Sequence, residues 1–188
     1  MIRFALVGDI GSGKSFISNL FNYPVFNADL EVADIYKKNK SCFFKIKKSI
    51  PNHFSSFPIK KNELIQSIIA DKNNLKKISS VVHPIVRKKL NVFLKKNKNK
   101  KIVVLDIPLY FENKLNKKKD IVVYIEARKK QILYHLKKRN NFNASLVNQL
   151  RSLQYPLNYK KKKSDFIIKN DYKISTVKNN VKTILKKL

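Results

Sequence analysis

The sequence predicts an α/β protein: a doubly wound parallel sheet of five strands, interrupted by a helical insert and a lid. Three observations predict it. Apolar runs rich in branched residues recur along the chain, among them "IRFALV" (2–7), "KIVVLDIPL" (101–109) and "DIVVYIE" (120–126). They are too uniformly apolar for strands with a solvated face, so they read as strands covered on both sides. Segments with helical spacing alternate with them, the order of βαβ units. The chain's three glycines, Gly8, Gly11 and Gly13, all fall within six residues between the first strand and the first helix. Ordinary usage of about 7% would scatter about thirteen glycines over this length.

In order, the strand at 2–7 leads to "KSFISNLF" (14–21), whose Phe16, Ile17, Leu20 and Phe21 have helical spacing. "PVFNAD" (24–29) reads as a short second strand running into "DLEVADIYKK" (29–38), a helix for which Asp29 is a candidate N-cap. From 41 to 97 no strand pattern appears; apolar pairs at helical spacing are expected to be broken into pieces by Pro51, Pro58 and Pro84. Strands at 101–109 and 120–126 follow, then a helix at 128–139. Residues 140–163 are polar and basic with a helix near 144–153. "DFIIK" (165–169) reads as the last strand and 174–188 as the closing helix. The expected organisation is a core of 1–40, 98–139 and 164–188, an insert of 41–97 and a lid of 140–163.

With 188 residues, 43% of them hydrophobic, the chain has the means to bury a core. No run approaches the roughly 18–20 apolar residues of a membrane span, and the N-terminus lacks a signal-peptide pattern. Cys42 is the single cysteine, which fits a reducing compartment; a cytoplasmic location is expected. Lysine and arginine number 42 against 12 acids, a net charge of +30. Such a charge fits a nucleic-acid surface, or a compositional drift toward Lys, Asn, Ile, Phe and Tyr. Only five of the 42 are arginine and the lysines are scattered, so no specific nucleic-acid partner is expected. No membrane partner and a monomer or weak homo-oligomer are the remaining partner expectations.

The glycine-bearing stretch, Gly8-Asp9-Ile10-Gly11-Ser12-Gly13-Lys14-Ser15, matches G-x-x-x-x-G-K-[ST] between a strand and a helix. A loop that turns its N–H groups onto phosphate needs conformations that a β-carbon obstructs. The motif predicts a P-loop nucleoside-triphosphate site. Gly11, Ser12, Gly13, Lys14, Ser15 and the backbone of Phe16 would hold the phosphates, and Ser15 would hold Mg²⁺. No Asn-Lys-x-Asp guanine motif is present; "NKKKD" (116–120) has one residue too many. The small size favours a metabolite kinase. Asp29, after the second strand, suits a base for an acceptor hydroxyl, or a plain helix cap. Asp106, at the end of "IVVLD", suits a Mg²⁺-supporting carboxylate, or a solvated strand end.

In these residues the chain resembles the dephospho-CoA kinase family. The blocks are "GDIGSGKS", "FNADLEVAD", "VVHPIVR", "DIPLYFEN" and "LQYPLNYKKKKSDFIIKN", in family order from residue 4 to about 170. The last is the most specific: Gln154, Pro156, Leu157, Lys160, Asp165, Ile168 and Asn170 fall in register. The resemblance implies ATP and dephospho-CoA as substrates, with the ribose 3′-hydroxyl as acceptor. It implies Asp29 as base or positioner, Lys14 with Mg²⁺ and a lid arginine as neutralising groups, and the insert as the acceptor's holder. Arg139, ending the helix at 128–139, is the arginine chosen, or a dipole-favouring helix-end cation. His83, Arg87, Pro108 and Glu112 are the further acceptor-binding candidates, with structural readings open for His83, Arg87 and Glu112. His53, His135 and Cys42 carry structural readings. The departures are Asn27 for the first Asp of Asp-Ala-Asp, Phe16 for Thr, Tyr110 for Leu, and Lys169 before Asn170 with no glycine following.

Overall fold

The computed structural model describes residues 1–140 and 142–187. Residue 141 of the expected lid and residue 188 of the expected closing helix lie outside the described residues. Contacts divide the chain into a unit of Met1–Asn27 with the chain from Asn97 onward, and a unit of Ala28–Lys96.

In the first unit, β1 (Ile2–Gly8), β2 (Val25–Asn27), β3 (Ile102–Asp106), β4 (Asp120–Ala127) and β5 (Phe166–Asn170) form one parallel sheet in the order β2-β3-β1-β4-β5. All five strand predictions hold. Parallel strands end on the same side, so Gly8, Asn27, Asp106, Ala127 and Asn170 mark one edge, where ligands of such sheets bind. One face carries α1 (Lys14–Leu20) and α9 (Ile174–Lys186); Ile17, Phe21, Val177, Val181 and Ile184 pack there on Phe4, Leu6, Val104, Val123, Ile125 and Ile168. The unit also holds α6 (Lys129–Lys137), α7 (Ala144–Ser152) and α8 (Leu157–Lys162). Asn143 caps α7 by accepting the Leu146 N–H at 2.9 Å.

At the opposite edge, Asp120 opens β4 and accepts from the Arg3 guanidinium, the Tyr110 hydroxyl and, at 2.7 Å, the Lys117 N–H. This explains Tyr110 in place of leucine: its ring is fully buried and its hydroxyl has a carboxylate to bond. Burial first, and then that bond to Asp120, push the phenol well above its ordinary range.

The second unit holds α2 (Ala28–Lys38), α3 (Lys40–Ser49), α4 (Lys61–Ala70) and α5 (Lys72–Lys96). The loss of a strand pattern sets the expected start of the insert at residue 41; by contacts this unit also includes α2, packed on α5. Pro84 does not break the helical pattern as expected; α5 runs through it. Proline removes one backbone donor, but Leu75, Ile78, Val82 and Leu90 keep a buried stripe on both sides of it, and packing outweighs the lost bond.

Candidate active site

The loop between β1 and α1 takes the conformation its glycines permit. Gly11 and Gly13 have φ of 83° and 90°, in the left-handed region. Space is as restrictive as φ: a β-carbon on Gly11 would lie 2.9 Å from Leu136 of α6, and one on Gly13 would overlap the Asn170 amide. Lys14 is buried and folds back over the loop, its Nζ donating to the carbonyls of Asp9 at 2.8 Å and Gly8 at 3.2 Å. Ser15 and Phe16 open α1 as exposed residues and Ser12 is fully buried.

The chain after β5 secures this loop from the far end of the sequence. The Asn170 amide donates to the Ser12 carbonyl at 2.8 Å, and its oxygen accepts the Tyr172 N–H at 2.8 Å. The Tyr172 hydroxyl donates to the Gly11 carbonyl at 2.7 Å. Tyr172 adopts φ of 63° where a glycine is missing from the tail. Non-glycine residues pay strain there, offset here by those two bonds and by stacking on His135, 3.9 Å between ring centres. His135 is thus part of the loop's support. Burial raises the Tyr172 phenol above its ordinary value; the nearby Arg139 charge opposes this and the Asp9 charge adds to it. Arg139 itself is exposed, just past the end of α6.

Asp106 is buried at the end of β3, in register with Asn27 of β2, and accepts from the Asn27 amide at 2.7 Å. The Asn27 departure therefore places a donor where a second carboxylate would set like charges side by side. Asp106 and the Ser15 hydroxyl are hard oxygen donors of the kind Mg²⁺ takes together with substrate phosphates and water. The residues present thus fit that ion.

Pro108 and Glu112 meet a residue of the tail. Lys160 is fully buried in α8; its ammonium forms an ion pair with Glu112 Oε1 at 2.8 Å and donates to Gln154 Oε1 at 3.2 Å and the Pro108 carbonyl at 3.3 Å. Glu112 Oε1 also accepts the Tyr155 N–H at 2.7 Å. The register of Gln154 and Lys160 in the tail is thus the register of one buried network.

In the second unit, Asp29 is exposed and lies inside the first turn of α2, which begins at Ala28, so it is not the N-cap that spacing allowed. A carboxylate there is favoured by the helix dipole. His83, half-buried, and Arg87, exposed, stand one turn apart within α5.

Sequence reasoning did not single out one further pair. Arg151, in the last turn of α7, forks onto Asp9 of the loop: Nε to Oδ1 and Nη2 to Oδ2, both 3.0 Å. The residues lie 142 apart in sequence; the only signal is a scarce arginine in the basic segment 140–163.

The dephospho-CoA kinase family model matches residues 2–176. A dephospho-CoA kinase from Wolbachia pipientis wMel is 33% identical over 98% of this chain and 96% of its own length. Among solved structures, one from Thermus thermophilus superimposes with a TM-score of 0.77 at 24% identity, covering 100% of this chain and 97% of that one. A dephospho-CoA kinase from Campylobacter jejuni gives 0.65 at 22%, again covering 100% and 97%. These two structures bear on the fold.

Proposed function

The chain belongs to the dephospho-CoA kinase family, and on that premise we propose that it transfers the γ-phosphate of ATP to the ribose 3′-hydroxyl of dephospho-CoA, giving CoA and ADP. The observation that carries the reading is the bonding of tail to loop. Asn170, from the family-specific tail block, and Tyr172, two residues beyond it, hold the carbonyls of Ser12 and Gly11, so the family's most distinctive block shapes the phosphate loop itself.

In this reading the N–H groups of Gly11 to Phe16 face the phosphates and Lys14 leaves its carbonyl partners for them. Asp29 accepts the proton of the 3′-hydroxyl as its oxygen bonds the γ-phosphorus and the bond to the β-phosphate oxygen breaks. Catalysis of this transfer is mostly positioning and charge neutralisation. Ser15 and Asp106 would hold Mg²⁺, which supplies neutralisation of the phosphate charge. Arg139 serves as a lid cation, and His83, Arg87, Pro108 and Glu112 serve the acceptor, Pro108 and Glu112 through the Lys160 network. Among the described residues no helix is long and apolar enough to cross a membrane; we place the reaction in the cytoplasm, with a monomer or weak homo-oligomer as the working state.

The test is a coupled ADP-release assay with ATP, Mg²⁺ and dephospho-CoA. The expected result is turnover that disappears on chelation of Mg²⁺. No turnover by a folded sample overturns the assignment, and turnover of another small alcohol in its place moves the protein to a different acceptor.

A further inference from the structure

A loop shaped to hold phosphate carries an acid at its second position, Asp9. A carboxylate there opposes an anionic ligand unless something neutralises it. The Arg151 fork does so: two parallel bonds of 3.0 Å, the geometry of a strong carboxylate–guanidinium pair. The Asp9 side chain is 12% exposed and also accepts the Ile10 N–H at 2.7 Å, so it is held on the loop side as well. The Arg151 side chain is 41% exposed. The fork occupies Nε and one hydrogen of Nη2; among the described residues the edge formed by Nη1 and the rest of Nη2 makes no hydrogen bond. A guanidinium has five donors in a fixed plane. An acid gripping one edge therefore aims the other.

We infer that Asp9 is a positioning residue for a further phosphate-binding arginine, Arg151, the acid fixing the guanidinium at the phosphate loop so that its open edge meets the donor's phosphates. The inference deepens the kinase reading and rests on it. It gives the lid a fixed attachment to the loop, through α7, in addition to the cation at Arg139. It also explains why an acid is tolerated in the cradle: acid and arginine act as one neutral, oriented pair.

The pair predicts an interaction whose sign depends on background. Arg151→Met, Asp9→Asn and the double variant are titrated by calorimetry with Mg²⁺ and an unreactive ATP analogue, without dephospho-CoA. Arg151→Met is expected to weaken binding about tenfold or more, the size of a lost charge-assisted bond plus an exposed like charge. Asp9→Asn alone is expected to weaken it about threefold, since the arginine loses its aim. In the double variant the same Asp9→Asn change is expected to strengthen binding at least about threefold relative to Arg151→Met, because an unpaired acid has been removed from the loop. Arg151→Lys, which keeps charge but not the fork, is expected to restore part of the affinity, and it carries the test if Arg151→Met does not fold. Losses that simply add, Arg151→Met binding within twofold of wild type, or Arg151→Lys binding as wild type does, overturn the inference. Because the acceptor is absent, these outcomes are independent of whether wild type turns over dephospho-CoA, which tests the kinase reading alone.

Discussion

The two compact units treat charge differently. Among the described residues the charged residues buried as a whole are Arg3, Asp9, Lys14, Asp106 and Lys160, and the Asp120 and Glu112 side chains are buried beside Arg3 and Lys160, all in the sheet unit. The helical unit buries only the neutral polar residues Ser67 and Asn74, and each has a carbonyl to donate to, the Ser67 hydroxyl that of Leu64 and the Asn74 amide that of Ser67, both at 2.9 Å. Taking an ion out of water costs several kcal/mol unless partners are well placed. Asp9, Lys14 and Asp106 stand at or just beyond the strand ends where the loop lies, and Lys160 joins them through the carbonyl of Pro108, two residues past β3. The sheet unit thus places most of its buried charge around the candidate site, the Arg3–Asp120 pair at the opposite edge excepted. The helical unit leaves its lysines in solvent, where they cost little and hold little.

The largest effect expected from disturbing this contrast is on Lys14. Lys14→Met removes the cation that would meet the phosphates, and kcat is expected to fall about 10²–10³-fold with the unfolding midpoint little changed. An activity loss matched by a collapse in stability would make Lys14 a structural residue of the loop instead. Next is Asp29, in the unit where charge is otherwise superficial. Asp29→Asn is expected to lower kcat about 100-fold, the scale of a lost general base. Under fivefold, Asp29 would join the surface charges and the contrast between units would be complete without it.

Lys160 tests the cost of burial directly. Lys160→Met strands Glu112 in a buried setting, and denaturant unfolding is expected to show a loss of about 3–5 kcal/mol. Lys160→Met with Glu112→Gln is expected to recover most of it, since the stranded charge is then gone while the Tyr155 N–H keeps an acceptor. If the double variant is no more stable than the single one, the loss belongs to the packing of α8 and not to the charge.

The same contrast governs what was readable in the sequence. The strands were legible because a parallel strand covered on both faces is an apolar run. The loop was legible because its geometry needs glycine at fixed spacing. The short helix α8, "LNYKKK" (157–162), was not: its anchor is a buried lysine, and a lysine reads as solvated until its acceptors are known. Pro84 reads as a break because proline's local cost is visible in a sequence while the buried stripe that overrides it is not. The Asp9–Arg151 pair is illegible for a related reason: each alone reads as an ordinary surface residue, and only the fold brings them within 3.0 Å. The Asn27 and Tyr110 departures likewise gained their meaning from partners, Asp106 and Asp120.

The smallest effect is expected where the helical unit does pair its charges. Lys89 of α5 meets Glu31 at 2.8 Å and Asp34 at 3.1 Å on α2, and Asp34 also meets Lys38 at 2.6 Å. Bonds to Glu31 first and then Asp34 raise the Lys89 ammonium, and bonds to Lys38 first and then Lys89 lower the Asp34 carboxyl. The raised lysine contributes stability that is whole below its unfolded value of 10.5 and fades as pH rises through its folded value. The lowered carboxyl contributes stability that is whole above 3.8 and fades as pH falls through its folded value. The cluster therefore acts across the neutral range, but its groups are wet and screened. Lys89→Met is expected to shift Tm by less than about 4 °C at neutral pH, and by less still in high salt. A larger shift, insensitive to salt, would mean that the helical unit also relies on a desolvated ion pair, and the division of labour between the two units would have to be redrawn.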